Sequence, residues 1–393
     1  MEPIENFLYL LSNPARFEQH MMNTTIRNKL ELDTPCLVLD LDILTGNLQK
    51  MQCLARRAGK ALRPHAKTHK CSALAHRQVE EGAVGICAAK VSEAEALVQA
   101  GLKGVLVTGP VATAGKVERL LDLLALDPDL MTVVDHRDSL EILDAALRAR
   151  GLAMDVLLDV DIGLHRTGVR PAAARELAAA ILARPSLRLR GIQAYAGQVQ
   201  HIRSYEERKT TSLQCLKDAV GVFRELQSMT STCRLFSATG TGTFDMDLTV
   251  PEITELQVGS YVCMDAEYLA IGSAEDPGGF TSFGPALRLL TTVVSRNQEG
   301  FVTVDAGLKS LYRDGAVPMI LGPDHAGMVY DWFGDEYGRI TCPGSTTLPP
   351  IGAVLELLTS HCDPTINLFD RYYLTRGAEV LGTWPIDLRG CNQ

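Results

Sequence analysis

Between residues 61 and about 262, short apolar runs alternate with longer Ala/Leu-rich stretches whose apolar residues recur every three or four positions. The short runs predict buried strands at 61–67, 85–90, 104–110, 130–135, 154–163, 189–198, 234–239 and 255–262. The longer stretches, such as "SEAEALVQAG" and "PAAARELAAAILAR", predict amphipathic helices between them. Eight strand–helix units in about 200 residues predict an α/β fold, a parallel (β/α)8 barrel. A doubly wound open sheet is the alternative on this pattern.

After residue 275 the pattern changes. "PALRLLTTVVS", "GFVTVDAG", "AVLELLTSHCDPTINLFD" and "RYYLTRGAEVLGTW" are strand-like runs cut by Gly and Pro, with little helix. They predict an all-β second domain. One further strand, "TPCLVLDLD" at 34–42, precedes the barrel and is free to join that domain. The expected division is a barrel at 43–270 and a β domain made of 1–42 and 271–393.

Composition narrows the classes. A chain of 393 residues, 46% hydrophobic and 22% charged, is long enough for two large cores. A net charge of −9 argues against nucleic acid as a partner. No apolar run reaches the roughly 18 residues of a membrane span. The N-terminus has early acids and no basic start, so it does not read as a signal peptide. Ten cysteines without a CxxC pair suggest reduced thiols in a cytoplasmic protein.

Candidate chemistry starts at "ALRPHAKTHK", 61–70. In a strand, alternate residues share a face, so Arg63, His65 and Lys67 point together into the barrel. Lys67 then stands at the C-terminal end, where barrels keep their active sites. A lysine among cations loses its proton more easily, as a Schiff-base nucleophile must. A solvated basic loop, with Lys70 an equal candidate, is the plainer reading. Glycines at 240 and 242 in "SATGTGTFD", and "VGSY" at 258–261, fall after strands seven and eight, the usual phosphate slot of this barrel. A phosphate loop plus an inward lysine suggests pyridoxal 5′-phosphate; a sugar-phosphate barrel is the alternative.

With "RPHAKTHK", "DVDIGLHRTGV", "QAYAGQVQH", "TGTGTFD", "TELQVGSY" and "SHCDPTINLFD" in this order, the chain resembles the D-threonine aldolase and D-serine dehydratase family from about residue 33 to 390. These are pyridoxal-phosphate enzymes of fold type III, with the alanine racemase fold. The resemblance implies that Lys67 is the cofactor anchor, that Arg166 and Tyr195 line the cofactor, and that Gly240, Thr241, Gly242 and Gly259, Ser260, Tyr261 cradle its phosphate. Gln257 lies where alanine racemases place an arginine near the pyridine nitrogen. Neither side chain is a carboxylate, so that nitrogen is expected to be unprotonated and the ring a weaker electron sink.

"SHCDPT" is expected to supply the missing help. In an extended segment His361 and Asp363 share a face while Cys362 points away. The plain reading is a surface His–Asp pair; the resemblance makes it a divalent-metal pair. Dehydratases of the family tend to carry His-x-Cys here, suited to zinc. Asp363 makes the pair harder, matched to manganese or magnesium and similar to the D-threonine aldolases. A histidine common upstream in relatives, in "EHG", is replaced by Tyr337 in "GDEYG"; His325 lies nearby in sequence.

The reading is therefore a metal-assisted pyridoxal-phosphate lyase that cleaves a small D-β-hydroxy-α-amino acid, with a metal-held water, His65 or His201 taking the hydroxyl proton. A dehydratase acting on D-serine or D-threo-3-hydroxyaspartate is the alternative. A pyridoxal-phosphate homeostasis protein, a binding protein, is disfavoured by the large β domain. The resemblance implies a homodimer.

Overall fold

The computed structural model describes residues 25–342 and 347–393. The reading of the N-terminus against a signal peptide falls outside the described residues. Among those described, no helix is long and apolar enough to cross a membrane. The chain divides into two compact units.

The first unit takes Gln49–Lys67, Leu74–Gly259 and Gly390–Gln393 and holds the barrel; its bounds differ from the expected 43–270, since Thr68–Ala73 and the chain from Ser260 fall in the other unit. After β1 (Cys36–Asp40), which belongs to the other unit, come β2 (Ala61–Leu62), β3 (Cys87–Ala88), β4 (Leu106–Val107), β5 (Met131–Val134), β6 (Met154–Asp159), β7 (Leu187–Ala194), β8 (Leu235–Ala238) and β9 (Glu255–Leu256). Each lies within or against one of the eight predicted runs. All neighbours are parallel, in the order β2-β9-β8-β7-β6-β5-β4-β3. The ring closes between its ends, where Ala66 N–H donates to Cys87 O at 2.9 Å and Cys87 N–H to Pro64 O at 2.8 Å. Closure excludes the doubly wound open sheet.

The strands are buried on both faces, which is why they read as unbroken apolar runs rather than alternating ones. The helices carry one buried stripe each, such as Leu140, Leu143 and Leu147 on Arg137–Arg150. That helix starts where the His136 ring accepts from Asp138 N–H and stops at Gly151, φ +66°, in the left-handed region that suits a C-terminal glycine.

One irregularity matters for the site. The β6–β7 register runs Val156↔Leu189 and then Leu157↔Gly191, so Arg190 is an extra residue. A Cβ on Gly191 would meet Leu235 O at 1.7 Å, so only glycine fits this bulge. Past the bulge Gln193, rather than Ile192, stands opposite Asp159.

The second unit takes residues up to Leu48, Thr68–Ala73 and Ser260–Arg389. Its strands are β1, β10 (Leu287–Ser295), β11 (Phe301–Val304), β12 (Met319–Ile320), β13 (Val329–Trp332), β14 (Gly338–Thr341), β15 (Val354–Leu358), β16 (Arg371–Arg376) and β17 (Glu379–Pro385). They form one sheet, with β1 between β10 (antiparallel) and β16 (parallel). The early strand thus completes the β unit. The residues just after Lys67 are tied into it: Tyr372 O–H donates to His69 O at 2.6 Å, and Ser72 N–H to Asp387 Oδ1 at 2.8 Å.

Candidate functional site

Within the barrel unit, β2 is formally two residues long, yet its pairing goes on. Arg63 N–H donates to Leu256 O and His65 N–H to Val258 O, both at 3.0 Å. The alternation therefore persists, and Arg63 and His65 are both buried. Arg63 does not act as a free cation beside Lys67. It makes a two-pronged ion pair with Glu255, at 2.9 and 3.0 Å, inside the barrel.

Lys67 lines a cavity of about 860 Å³ at the C-terminal ends of β2 to β6. His65, Lys90, Thr108, Lys116 and Arg166 share its wall. The Lys67 Nζ lies 5.5 Å from the centre of the Tyr195 ring. Thr108 O–H donates to Ala88 O, so it accepts from His65 Nε2 at 3.1 Å, while His65 Nδ1 accepts the Lys67 N–H at 3.3 Å. Both ring nitrogens of His65 are engaged, and one of them orients the backbone of Lys67. His201 sits on the loop after β7 and is not part of this cavity wall.

A chain of buried polar side chains links the neighbouring strands β9, β8, β7 and β6. Ser237 O–H donates to Glu255 Oε1 at 2.8 Å and accepts from Gln257 Nε2 at 2.9 Å. Gln257 Nε2 also donates to Gln193 Oε1 at 3.1 Å, and Gln193 Nε2 donates to Asp159 Oδ1 and to Thr108 O, each at 3.0 Å. Thr167 O–H reaches the other Asp159 oxygen at 3.0 Å. Burial pushes the Asp159 carboxyl up to about 6, against the hydrogen bonds from Gln193 and Thr167. Sequence reading missed Asp159 and Gln193, although both lie in the quoted motifs, because only the bulge in β7 brings them together.

The 240–242 loop leaves β8 through Thr239, whose φ of +85° is strained for a β-branched residue and of the kind found at ligand clamps. A Cβ on Gly240 would meet Gln200 Oε1 at 2.3 Å, and one on Gly242 would meet Gln200 O at 2.1 Å. The glycines thus let the loop wrap Gln200, which also accepts the Gly242 N–H at 2.9 Å. A phosphate here would be met by groups other than that N–H. The fully buried Arg208 holds Gly242 O at 2.7 Å, and the buried Asp247 accepts from Thr243 and Ser212 hydroxyls. The loop is thus pre-formed and buttressed from both sides. Gly259 closes the barrel unit, while Ser260 and Tyr261 open a 3-10 turn of the β unit, where the Tyr261 ring packs edge-on to Phe283.

In the β unit His361 and Asp363 come together, though not on an extended segment. His361 is the extended cap of a short helix, Cys362–Ile366, with Asp363 and Pro364 in its first turn, positions that suit an acid and a proline. His361 Nε2 stands 3.9 Å from Asp363 Oδ1. Two ligands each about 2.1 Å from one ion lie at most about 4.2 Å apart, so the pair lies within reach of a shared metal. Asp314 Oδ2 holds His361 Nδ1 at 3.0 Å. Burial works against the charged imidazole, yet Asp363, Asp265, Asp314 and Glu267 raise the His361 pKa above the ordinary value. Cys362 is fully buried, its N–H donates to Asp265 Oδ2 at 2.9 Å, and burial pushes its thiol well up, which disfavours the thiolate a metal would need. Among the described residues no group of three or more His, Cys, Asp or Glu is arranged to hold an ion, so this pair leaves most positions open. Tyr337 is half-exposed beyond β13, and His325 Nδ1 contacts Leu321 O at 2.9 Å in a turn of its own.

A closed parallel barrel with a lysine at its mouth, together with a mainly-β unit, is the architecture of the fold type III class. The chain belongs to the family described as alanine racemase, N-terminal domain, whose model matches residues 39–267; a putative serine dehydratase domain matches 286–375. The resemblance drawn from the motifs is borne out. The chain is 39% identical to D-threonine aldolase from Arthrobacter sp., over 91% of this chain and 93% of that one. It is 36% identical to 3-hydroxy-D-aspartate aldolase from Paracoccus denitrificans, over 92% and 93%. Among solved structures, D-threonine aldolase from Filomicrobium marinum matches with a TM-score of 0.88 and 37% identity, covering 93% of this chain and 98% of that one. D-threo-3-hydroxyaspartate dehydratase from Delftia sp. matches with a TM-score of 0.81 and 26% identity, covering 92% and 99%.

Proposed function

We propose that this chain is a pyridoxal-phosphate- and divalent-metal-dependent aldolase that cleaves a small D-β-hydroxy-α-amino acid to glycine and an aldehyde. The observation that carries this reading is Lys67 opening into the barrel-mouth cavity of a chain 39% identical, over 91% of its length, to a D-threonine aldolase. Bound pyridoxal phosphate supplies the electron sink for breaking the Cα–Cβ bond. Lys67 holds it covalently. Arg166 and Tyr195 flank it, and Gly240, Thr241, Gly242 and Gly259 to Tyr261 form the phosphate cradle. His361 and Asp363 hold the metal, and the hard carboxylate favours manganese or magnesium over zinc. A metal held there would supply Lewis acidity toward a β-hydroxyl. His65 orients Lys67, and the proton from that hydroxyl goes to His201 or to water. The enzyme works as a homodimer in the cytoplasm.

The test is incubation of the full chain with D-threonine, pyridoxal phosphate and manganese. Glycine and acetaldehyde are expected, with loss of turnover on chelation and no reaction of L-threonine. Ammonia with 2-oxobutanoate would replace the aldolase by a dehydratase.

A further inference from the structure

The donors and acceptors around Gln257 fix what it offers a ligand. Gln193 sets the pattern. Its Nε2 faces Thr108 O, a backbone carbonyl that only accepts, and Asp159 Oδ1. Its amide therefore has one orientation, and its Oε1 accepts from Gln257 Nε2. The second Gln257 N–H goes to Ser237 Oγ, whose own proton is donated to Glu255 Oε1, and Glu255 is paired with Arg63. Both N–H groups of Gln257 are thus engaged inside the barrel, and Oε1 is what remains. Turning the amide over would set oxygen against oxygen at Gln193.

We propose that Gln257 meets the cofactor's ring nitrogen as an acceptor, so that the bound ring keeps its proton there as N–H, and that Gln193 is the positioning residue that enforces this. The inference rests on the reading in which Lys67 anchors pyridoxal phosphate and Gln257 lies against the ring nitrogen. An unprotonated ring nitrogen would face Oε1 lone pair to lone pair; a protonated one makes a hydrogen bond. This reverses the expectation from sequence, which treated glutamine as unable to support the proton. A protonated ring is the stronger electron sink, so cleavage depends less on the metal alone. The bulge at Arg190 is part of the device, because without it Ile192 would stand opposite Asp159 and the amide would be unlocked.

The experiment uses the full chain loaded with pyridoxal phosphate carrying ¹⁵N in the ring, read by the ring ¹⁵N chemical shift. The expected result is the position of a protonated pyridine. Gln257→Glu keeps that position. Gln257→Arg, which only donates, moves it most of the way to the unprotonated position, and Gln193→Leu moves it part of the way while the chain still takes up the cofactor. Uptake with an unprotonated shift in the wild type overturns the inference and leaves the functional reading intact. An unchanged shift in Gln193→Leu overturns the positioning role. A folded chain that takes up no pyridoxal phosphate overturns the functional reading, and the inference with it.

Discussion

Replacing Arg63 by Met isolates the energetics of the buried ion pair that anchors the polar chain. Arg63 is 6% exposed and Glu255 1% exposed, and the two share two well-formed hydrogen bonds. Methionine keeps most of the apolar stem but leaves Glu255 with Ser237 as its remaining polar partner. An uncompensated buried charge of this kind costs about 3–5 kcal/mol. The Arg63 hydrogen bond to Gly104 O is also lost, for about 1 kcal/mol more. In the double variant Arg63→Met, Glu255→Gln no charge is left buried, so it should be more stable than Arg63→Met alone. The coupling should then be on the order of 2–3 kcal/mol. Urea unfolding followed by helical circular dichroism is the assay, because both tryptophans, Trp332 and Trp384, lie in the β unit and report poorly on the barrel. A loss below about 1 kcal/mol, or a double variant that loses the sum of the two singles, would refute the reasoning.

Borohydride reduction of the loaded protein followed by peptide mapping should place the pyridoxyl group on Lys67, and Lys67→Ala should lose it; label on Lys70 or Lys90 would refute the anchor. His361→Ala and Asp363→Ala should each abolish manganese binding and turnover, whereas Cys362→Ala should turn over normally and lose only about 1 kcal/mol of stability; an inactive Cys362→Ala best served by zinc would contradict the ligand pair. Asp314→Ala frees the His361 ring and should weaken manganese binding, measured by calorimetry, by about tenfold or more. Burial pushes the Asp247 carboxyl up to about 6, so the folded chain binds that proton more tightly than the unfolded one. The group therefore costs stability above pH 6 and the cost is relieved as pH falls toward 4, by up to about 3 kcal/mol. Asp247→Asn should flatten that part of the stability–pH curve, and an unchanged slope would refute the assignment.

The barrel was legible because its strands and helices differ in local period, which each segment carries by itself. Lys67 was legible as a cation near the end of a strand, but the structure sets it in a turn beyond β2 rather than on the strand itself. The His361–Asp363 pair was legible as a two-residue spacing, but its setting was not. The spacing suggested an extended run, and the chain instead caps a short helix at His361. Two separations, one in a strand and one across a helix start, bring the same side chains together, so spacing alone did not distinguish them. Gln200, Arg208 and Asp247 left no signal of their own, since a polar residue in a helix or loop reads as solvent-facing until something folds over it.

What the sequence determined by itself is what short-range periodicity encodes: eight buried parallel strands, the strand that joins the β unit, the lysine at the barrel mouth, and a hard His–Asp pair in place of a thiolate one. What only the tertiary structure decided is which polar groups face one another. One extra residue in β7 changes the partner of Asp159 from Ile192 to Gln193, and with it the donor and acceptor sense of Gln257 two strands away. Register between distant strands is set by packing of the whole barrel, and a hydrogen-bond chain inherits its direction from its one unambiguous end, here the carbonyl of Thr108. Neither is a property of any single stretch of residues.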